Sequence, residues 1–234
     1  MNLRNAGVLV TGGSSGIGRA IAQTLAEAGS RVAITGRNEA RLMEAAQALH
    51  VHPIRADVGV EADVERTYRE FLGQFGRLDV LVNNAGTGAF QKLVDFALEE
   101  FRRTFATNVE GAMLMAREAA RLFIAQKSGN IVNIGSTASH RGAPHGTAYY
   151  ASKFALRGMT ECWRAELRPF HVRVMLVNPS EVLTNFGAAA GFEQKVNETK
   201  LRGAEIAQAV KSILEMDDRG FTTEVTVFAT NPKD

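Results

Sequence analysis

Residues 147–153 read TAYYASK, which places two adjacent tyrosines just before a lysine. In a helix of ~100° per residue, Tyr149 and Lys153 lie ~40° apart, whereas Tyr150 and Lys153 lie ~60° apart on the other side. A free tyrosine titrates near pH ~10, and an adjacent ammonium favours the phenolate and lowers that pKa. The spacing therefore predicts a phenol that can exchange protons near neutral pH. Helix geometry favours Tyr149 without excluding Tyr150.

A glycine-rich segment near the start of the chain has the composition of a phosphate-binding loop. It reads VLVTGGSSGIGRA and places Gly12, Gly16 and Gly18 between an apolar run and a helix-forming segment. Glycine permits a tight turn and a close approach of a diphosphate to the backbone, and the free N–H groups of a helix N-terminus bind such a group. The segment therefore predicts a dinucleotide site, the alternative being a turn that binds nothing. It lacks the Gly-Lys-Ser/Thr ending of a phosphate-transfer loop.

Short apolar runs alternate with longer helix-forming segments along the chain. Runs at 8–11, 32–35, 80–83, 131–134, 172–177 and 224–228 are apolar nearly throughout, as is typical of parallel strands covered on both faces. Residues 50–56 predict one more strand, which Pro53 places at an edge of the sheet. Helices are predicted at 17–28, 40–49, 62–75, 98–126, 149–167 and 204–215. This alternation predicts an α/β domain with a doubly wound parallel sheet.

Composition and charge restrict the classes of partner and the location. Lys and Arg total 27 against 25 for Asp and Glu, a balance that gives no support for a nucleic-acid or anionic-membrane surface. Cys162 is the only cysteine, so no intrachain disulfide can form and a reducing compartment is expected. No apolar stretch approaches the ~20 residues that a membrane-spanning helix needs. We therefore expect a cytoplasmic protein with no membrane partner.

Three motifs, taken together and in this order, resemble those of the short-chain dehydrogenase/reductase (SDR) family. They are T-G-G-S-S-G-I-G at 11–18, N-N-A-G at 83–86 and Y-x-x-x-K at 149–153. Each motif alone is modest, but the set is specific and the resemblance covers nearly the whole chain. It implies one Rossmann-type domain over residues 1–234, with seven parallel strands and a substrate site at their carboxyl ends. It also implies an NAD(P)-dependent oxidoreductase of the classical type.

The resemblance implies that Asn108, Ser136, Tyr149 and Lys153 are catalytic. Ser136 lies thirteen residues before Tyr149, which matches the family's spacing and selects Tyr149 as the acid. Tyr150 is then expected on another face of the helix, where it would pack or line a subunit contact.

Each of the other three residues has an expected role. Ser136 would hold the substrate oxygen, and it is favoured over the nearby Ser139 because the end of a strand fixes its position. Lys153 would tune the phenol and bind the nicotinamide ribose. Asn108 lies inside a predicted helix, where asparagine is unfavourable. In the family this asparagine holds a water that links the lysine to solvent.

The cofactor residues that the resemblance implies lie in the glycine loop and after the strands. They are Gly12, Ser14, Ser15, Gly16, Ile17, Gly18, Arg37, Asn38, Asp57, Val58, Asn84, Ala85, Gly86, Tyr149, Lys153, Pro179, Val182 and Thr184. Gly36 stands where relatives that prefer NAD usually carry Asp, and the guanidinium of Arg37 could pair with a 2′-phosphate. NADP(H) is therefore favoured. NAD(H) stays open because Ser15 replaces a basic residue of many relatives, and Arg37 could be only a solvated charge.

The segment after the sixth strand departs from the family pattern at one position. Pro179 matches, Ser180 replaces the family's glycine, and the later residues keep the pattern. We expect residues from about 180 to 202 to form a substrate lid or a mobile surface loop. Phe186 and Phe192 would line an apolar pocket or pack the lid onto the domain.

Three basic residues follow Ser136 and are interpreted as loop residues, the alternative being that they border the substrate: His140, Arg141 and His145. They have no carboxylate or cysteine partner at metal-ligand spacing, so no metal site is predicted.

These observations predict an NADP(H)-dependent enzyme that reduces a carbonyl to a secondary alcohol, or the reverse. A 3-oxoacyl-carrier-protein reductase-like activity is one option among several small-molecule substrates. A non-catalytic NADP(H)-sensing protein is the alternative, against which the four intact catalytic residues argue. A nucleotide-sugar epimerase would need a larger substrate domain than 234 residues allow. The family's two long helices commonly build a dimer face, which implies a homodimer or homotetramer.

Overall fold

The computed structural model describes residues 1–184, 186–189 and 198–231, with only the backbone for 188 and 189. Seven strands of the described chain form one parallel sheet in the order β3-β2-β1-β4-β5-β6-β7. The strands are β1 Gly7–Val10, β2 Arg31–Gly36, β3 His52–Arg55, β4 Val80–Asn83, β5 Gly129–Ile134, β6 Val172–Pro179 and β7 Glu224–Val227. This arrangement confirms the predicted doubly wound, seven-stranded, single-domain α/β fold.

The described part of the chain forms eight α-helices. They are α1 Gly16–Glu27, α2 Glu39–Leu49, α3 Glu61–Phe75, α4 Leu98–Phe105, α5 Ala112–Gln126, α6 Thr147–Leu167, α7 Phe186–Ala189 and α8 Gly203–Glu215. The six predicted helices are present with ends shifted by one or two residues, apart from the predicted 98–126 segment. There α4 and α5 are joined without a break by a wider, π-helical turn over Ala106–Gly111.

The apolar core lies on both faces of the sheet. On one face, Ile21 of α1 and Val210 of α8 pack with the central strands in one buried cluster. On the other face, Phe71 of α3 and Phe123 of α5 lie fully buried in a second cluster. Truncating a buried phenylalanine of this kind typically costs about 3–5 kcal/mol. The two clusters explain why β1, β4, β5 and β6 are buried at every position.

The two edge strands differ from the central ones. Pro53 lies in β3, which pairs only with β2 in the described sheet, and this confirms the predicted edge position. The expectation that the last strand is covered on both faces is wrong, because β7 is the other edge and its four residues are half-buried or exposed. A proline is tolerated in an edge strand because its missing N–H is not needed there.

The chain order creates a crevice between β1 and β4. From β1 the chain moves outward through β2 and β3, then crosses back to β4 and continues to the opposite edge. The loops that leave β1 and β4 therefore diverge at the carboxyl ends of these strands, which is where such sheets bind ligands. No helix in the described part of the chain is long and apolar enough to cross a membrane.

Candidate active site

A cavity of about 570 Å³ opens at the carboxyl ends of the central strands. Of the predicted cofactor residues, all except Gly18 line it. Three of the four predicted catalytic residues line the cavity: Ser136, Tyr149 and Lys153. Asn108 does not line it, but it follows the lining residue Thr107 in the chain. Lining residues that the sequence analysis did not assign are Thr35, Arg41, Ala56, Phe90, Thr107, Ile134, Gly135, Thr137, Ala138 and Glu181.

The glycine loop has the shape that a diphosphate requires. Gly12 and Gly16 have φ of +64° and +54°, a region that favours glycine. A Cβ at Gly18 would lie 2.3 Å from Asn84 Nδ2 and 2.5 Å from the carbonyl oxygen of Gly12. Ser15 precedes α1 without a side-chain hydrogen bond to the helix, so it leaves the first N–H groups of α1 uncapped. These features fit a dinucleotide whose diphosphate lies at the helix N-terminus.

Asn84 of the N-N-A-G motif braces this loop. Its amide Nδ2 donates to the carbonyl oxygens of Thr11 and Gly12 at 2.9 and 3.2 Å. In return, the hydroxyl oxygen of Thr11 accepts from the backbone N–H groups of Asn84 and Ala85, each at 3.0 Å. The side chain of Asn84 therefore acts on the shape of the loop. Sequence reasoning missed Thr11, although it is the first residue of the quoted glycine motif.

The end of the cavity next to β2 carries two arginines, Arg37 and Arg41, and the carboxylate of Asp57. Arg37 is 61% exposed in its side chain, and its Nη1 lies 3.7 Å from Asp57 Oδ2. Asn38 caps α2, because its Oδ1 accepts from the backbone N–H of Arg41 at 2.9 Å. Val58 packs against the backbone of Gly111, where a Cβ would lie 2.6 Å from Val58 Cγ2. The predicted residues therefore lie together, and Arg41 adds a second cation that the sequence analysis missed.

Tyr149 lies in the first turns of α6, and its phenol shares the cavity with the Ser136 side chain. Burial of the phenol raises its pKa above the usual value. The Ser136 side chain lowers the pKa, and the nearby Tyr150 raises it again. The expected lowering by Lys153 is not found: Lys153 is not among the groups that shift this pKa, although its Nζ lies 5.8 Å from the centre of the Tyr149 ring. The serine is therefore the group that favours the phenolate in this structure.

Lys153 extends beneath the phenol and is buried, with 6% exposure. Its Nζ donates to the carbonyl oxygen of Ile134 at the end of β5, at 2.8 Å. Burial lowers the pKa of Lys153 to about 8 because an ammonium loses hydration inside the protein. The lysine can therefore change its charge under mildly alkaline conditions.

Ser136 is held at the point where β5 ends. Its Oγ accepts from the backbone N–H of Ala138 at 3.1 Å and caps a short 3-10 turn over Thr137–Ser139. Ser139 is fully buried and points away from the cavity, with its Oγ accepting from the Ser136 N–H at 3.3 Å. The geometry therefore favours Ser136 over Ser139, as the position at the strand end predicted.

Asn108 occupies the wide turn between α4 and α5. Its Oδ1 accepts from the Thr87 N–H at 2.8 Å, and its Nδ2 donates to the Thr87 carbonyl oxygen and to Ser152 Oγ, both at 2.9 Å. A π-helical turn changes the direction of side chains and is frequent at functional sites. The asparagine therefore ties the loop after β4 to the helix that carries Tyr149 and Lys153.

Aromatic rings surround Tyr149. The ring centres of Phe90 and Phe186 lie 5.5 and 5.4 Å from that of Tyr149, and that of Tyr150 lies at 6.0 Å. Tyr150 lines the same cavity as Tyr149, a position that the expectation of packing or a subunit contact did not include. Gly146 makes this possible, since a Cβ there would lie 2.2 Å from the Tyr150 ring.

The segment after β6 is partly described. Pro179 ends β6, and the Ser180 N–H donates to the Val227 carbonyl oxygen at 2.9 Å, so serine follows the sheet where relatives have glycine. Val182 bridges to Leu201, which brings the two ends of the predicted lid together. Phe186 lines the cavity, whereas Phe192 lies in the part of the predicted lid, residues 185 and 190–197, that is outside the described residues.

The predicted loop residues after Ser136 lie near the site, and one of them is paired. His140 Nε2 lies 2.6 Å from Glu224 Oε1, whereas His145 has φ of +67° in the loop before α6. Arg141 is exposed. Across the described ranges, no group of three or more His, Cys, Asp or Glu side chains is arranged to hold a metal ion.

Comparisons with known proteins agree with this geometry. A family model described as short chain dehydrogenase matches residues 6–195. Human L-xylulose reductase is 34% identical over 230 residues, which cover 94% of this chain and 93% of that protein. The alcohol dehydrogenase of the archaeon Thermococcus sibiricus, complexed with 5-hydroxy-NADP, superposes with a TM-score of 0.88 at 29% identity over 97% of this chain and 98% of that one.

A second solved structure superposes equally well. The 3-ketoacyl-(acyl-carrier-protein) reductase of Brucella melitensis, complexed with NADH, has a TM-score of 0.88 at 28% identity, with 97% and 98% of the two chains covered. The fold and the site together define an oxidoreductase built on a Rossmann-type sheet. Within that class, the chain belongs to the short-chain dehydrogenase/reductase family, whose members act on small molecules.

Proposed function

We propose that this protein is an NADP(H)-dependent reductase that converts a carbonyl to a secondary alcohol, or catalyses the reverse reaction. The observation that carries the proposal is that the Tyr149 phenol lies close to Ser136, which lowers its pKa, and over the buried Lys153. This cluster shares one cavity with the glycine loop. A proton donor and a dinucleotide site in one cavity are what carbonyl reduction requires.

The nicotinamide cofactor, when bound, supplies a hydride to the carbonyl carbon. Ser136 holds the carbonyl oxygen by a hydrogen bond, and Tyr149 protonates that oxygen as it gains negative charge. Lys153 places a positive charge beneath the phenol and binds the ribose. Asn108, together with a water, resupplies the proton. A non-catalytic sensor is the alternative, but sensing alone gives no reason for a serine, a buried phenol and a buried lysine in one cavity.

The preference for NADP(H) is part of the proposal. Arg37 and Arg41 line the end of the cavity next to β2, and Gly36 leaves it without the acid that would repel a 2′-phosphate. Asp57 is the carboxylate nearest to Arg37, and at 3.7 Å the pair is loose enough for Arg37 to turn to a phosphate. The two structural neighbours hold 5-hydroxy-NADP and NADH, so both cofactor types occur in this fold.

The substrate is expected to be apolar next to its carbonyl. Phe90 and Phe186 flank Tyr149, so a ketone with alkyl or aryl groups, or a 3-oxoacyl thioester, would bury its apolar part against them. A lid over residues 180–202 and a cytoplasmic location complete the proposal.

A first prediction tests the chemistry. Tyr149→Phe removes the acid and is expected to lower kcat at least about a hundredfold with NADPH affinity kept. Tyr150→Phe is the matched control, because it keeps the ring at the same cavity and should retain most of the turnover. The measurement is NADPH oxidation over ketones, 3-oxoacyl thioesters and quinones, with NADPH affinity followed by fluorescence titration.

Two outcomes would contradict this assignment. Loss of activity in the Tyr150 variant alone would reassign the acid. Binding of NADPH by the wild-type protein without turnover of any carbonyl would favour the sensor.

A further inference from the structure

Asn178, at the end of β6, has a fully buried side chain that reaches toward the catalytic serine. Its Oδ1 accepts from the backbone N–H of Ser136 at 3.1 Å, and its Nδ2 donates to Glu224 Oε1 at 2.7 Å. A backbone N–H requires an acceptor and a carboxylate requires a donor, so both neighbours fix the same orientation of the amide. The amide therefore links the carboxylate of Glu224 to the backbone of Ser136.

Glu224 begins β7 and lies opposite Leu176 of β6. Its Oε1 lies 2.6 Å from His140 Nε2, and its Oε2 lies 3.6 Å from Arg157 Nε. A ring nitrogen this close to a carboxylate must carry the hydrogen, so His140 donates to Glu224. The 3.2 Å contact between Asn178 Nδ2 and His140 Nε2 is then a contact between two donors that share one acceptor.

Gly135 shows how closely this amide fits behind the active site. A Cβ at residue 135 would lie 2.3 Å from Asn178 Oδ1 and 3.0 Å from Ser139 Oγ. The Gly135 N–H also donates to the Val177 carbonyl oxygen at 2.8 Å. The backbone that leads into Ser136 is therefore held by two neighbouring residues of β6, with no space for a side chain between.

We propose that Glu224 is a positioning residue for the reaction, and that it acts through Asn178 on Ser136. The carboxylate fixes the orientation of the Asn178 amide, and the amide fixes the position of the Ser136 backbone. The Ser136 hydroxyl is then placed to contact both Tyr149 and the substrate oxygen. This inference rests on the proposed function, because it assigns Glu224 a part in the same step. Catalytic groups that shift by about 1 Å can lose about a hundredfold in rate.

The competing interpretation gives Glu224 a structural role alone. In that case the carboxylate attaches the edge strand β7 to α6 through Arg157 and to the loop through His140. Its removal would lower the free energy of unfolding and leave the turnover of each folded molecule unchanged. A positioning role instead lowers kcat in a folded enzyme whose affinity for NADPH is kept.

The experiment compares Glu224→Ala with Glu224→Gln in the full chain. The alanine removes every contact, whereas the glutamine keeps an acceptor oxygen for Asn178 without the charge that faces His140 and Arg157. We expect the alanine to lower kcat at least about tenfold and the glutamine to stay within about threefold of wild type. Glu161→Gln is the matched control, because Glu161 Oε1 lies 3.5 Å from the same Arg157 Nε, and it should leave kcat unchanged.

A folded Glu224→Ala enzyme with wild-type kcat would overturn the proposal. If the alanine variant does not fold, Glu224→Thr replaces it, because threonine favours the strand and lacks the carboxylate. An equal loss in the alanine and glutamine variants would also overturn it, since charge rather than the link to Asn178 would then be decisive.

A second measurement separates this proposal from the proposed function. The Ser136 side chain lowers the pKa of Tyr149, so a displaced serine should raise that pKa. We expect the ultraviolet titration of tyrosinate, taken as the difference from a Tyr149→Phe counterpart, to move to higher pH in Glu224→Ala and to stay in place in Glu224→Gln. This titration needs no turnover, so it decides on Glu224 even if no carbonyl is reduced.

Discussion

Lys153 is a buried cation whose hydrogen-bond acceptor, among the described residues, is the carbonyl oxygen of Ile134. Burial alone lowers its pKa from 10.5 to about 8. Between these two pH values the unfolded chain binds more protons than the folded chain. The free energy of unfolding therefore rises with pH through this window, and below it the folded state carries the full cost of burying the ammonium.

A second prediction follows for Lys153→Met, which keeps the volume and removes the charge. The pKa change from 10.5 to about 8 corresponds to roughly 3 kcal/mol, so the variant should be more stable than wild type by up to this amount at pH ~7. The advantage should shrink by more than half toward pH ~9.5, before tyrosines begin to titrate near ~10. Chemical denaturation at the two pH values measures it. A stability difference independent of pH would contradict the pKa of Lys153.

A third prediction concerns Gly36, at the end of β2. A Cβ there would lie 3.2 Å from Ser14 Oγ, a flexible hydroxyl that can turn aside, so an aspartate fits. Its carboxylate would repel a 2′-phosphate and accept from the ribose hydroxyls of NAD. We expect Gly36→Asp to lower the ratio of kcat/KM for NADPH to that for NADH at least about a hundredfold.

Gly36→Ala is the control for this prediction, because it adds the Cβ without the charge. Steady-state kinetics with both cofactors give the ratio. An equal effect of alanine and aspartate would show that shape rather than charge sets the preference, and a wild-type enzyme that uses NADH as well as NADPH would refute the preference itself.

At the scale of elements, the turn from β1 into α1 supplies a fourth prediction. A Cβ at Gly18 would lie 2.5 Å from the Gly12 carbonyl oxygen, so Gly18→Ala must displace the loop. We expect at least about a tenfold loss of NADPH affinity, because the loop then misplaces the N–H groups that meet the diphosphate. Fluorescence titration of NADPH measures the loss.

The same substitution at Gly73 is the control, because a Cβ there, inside α3, meets nothing within 4 Å. Gly73→Ala should keep NADPH affinity and raise the free energy of unfolding by about 0.5–1 kcal/mol, since alanine is the better helix former. Wild-type affinity in Gly18→Ala would show that the loop does not need a glycine at position 18.

The elements that the sequence predicted well are those with a local cause. Apolar runs such as 80–83 became buried central strands, and Pro53 marked an edge. The wide turn around Asn108 was not predictable, because its side-chain partners Thr87 and Ser152 lie 21 and 44 residues away in the chain. The placement of Tyr150 depends on the missing side chain of Gly146, and the raised pKa of Tyr149 depends on burial by rings from three segments. Such effects appear only after the elements have packed.

At the scale of the whole molecule, the amino end of the sheet collects basic groups for a structural reason. The helices of a parallel sheet end there, and their last carbonyl groups attract cations. Arg173 donates to the carbonyl oxygens of Leu214 and Met216 at the end of α8, at 3.0 and 3.2 Å, and the chain's N-terminal ammonium bonds the same two oxygens. The opposite end, where helices begin, carries the cofactor cavity.

Apolar side chains are exposed on three helices that pack on one another, α4, α5 and α6. Leu98, Met113 and Phe154 are 60%, 36% and 44% exposed, and the rings of Phe101 and Phe105 stack on α4 at 4.6 Å. A contiguous exposed apolar patch commonly marks a contact with another protein. We expect them to form the face of the homodimer that the SDR resemblance implied.

A fifth prediction tests this face. Phe154→Arg places a charge where a second copy would pack, and a desolvated, unpaired charge costs several kcal/mol. The variant should therefore run as a monomer in light scattering at concentrations at which the wild-type protein is a dimer or larger. Phe170→Arg is the control, because Phe170 is similarly exposed but lies beyond the end of α6, and it should leave the assembly unchanged. A monomeric wild-type protein, or an equal loss in both variants, would rule out this face as the interface.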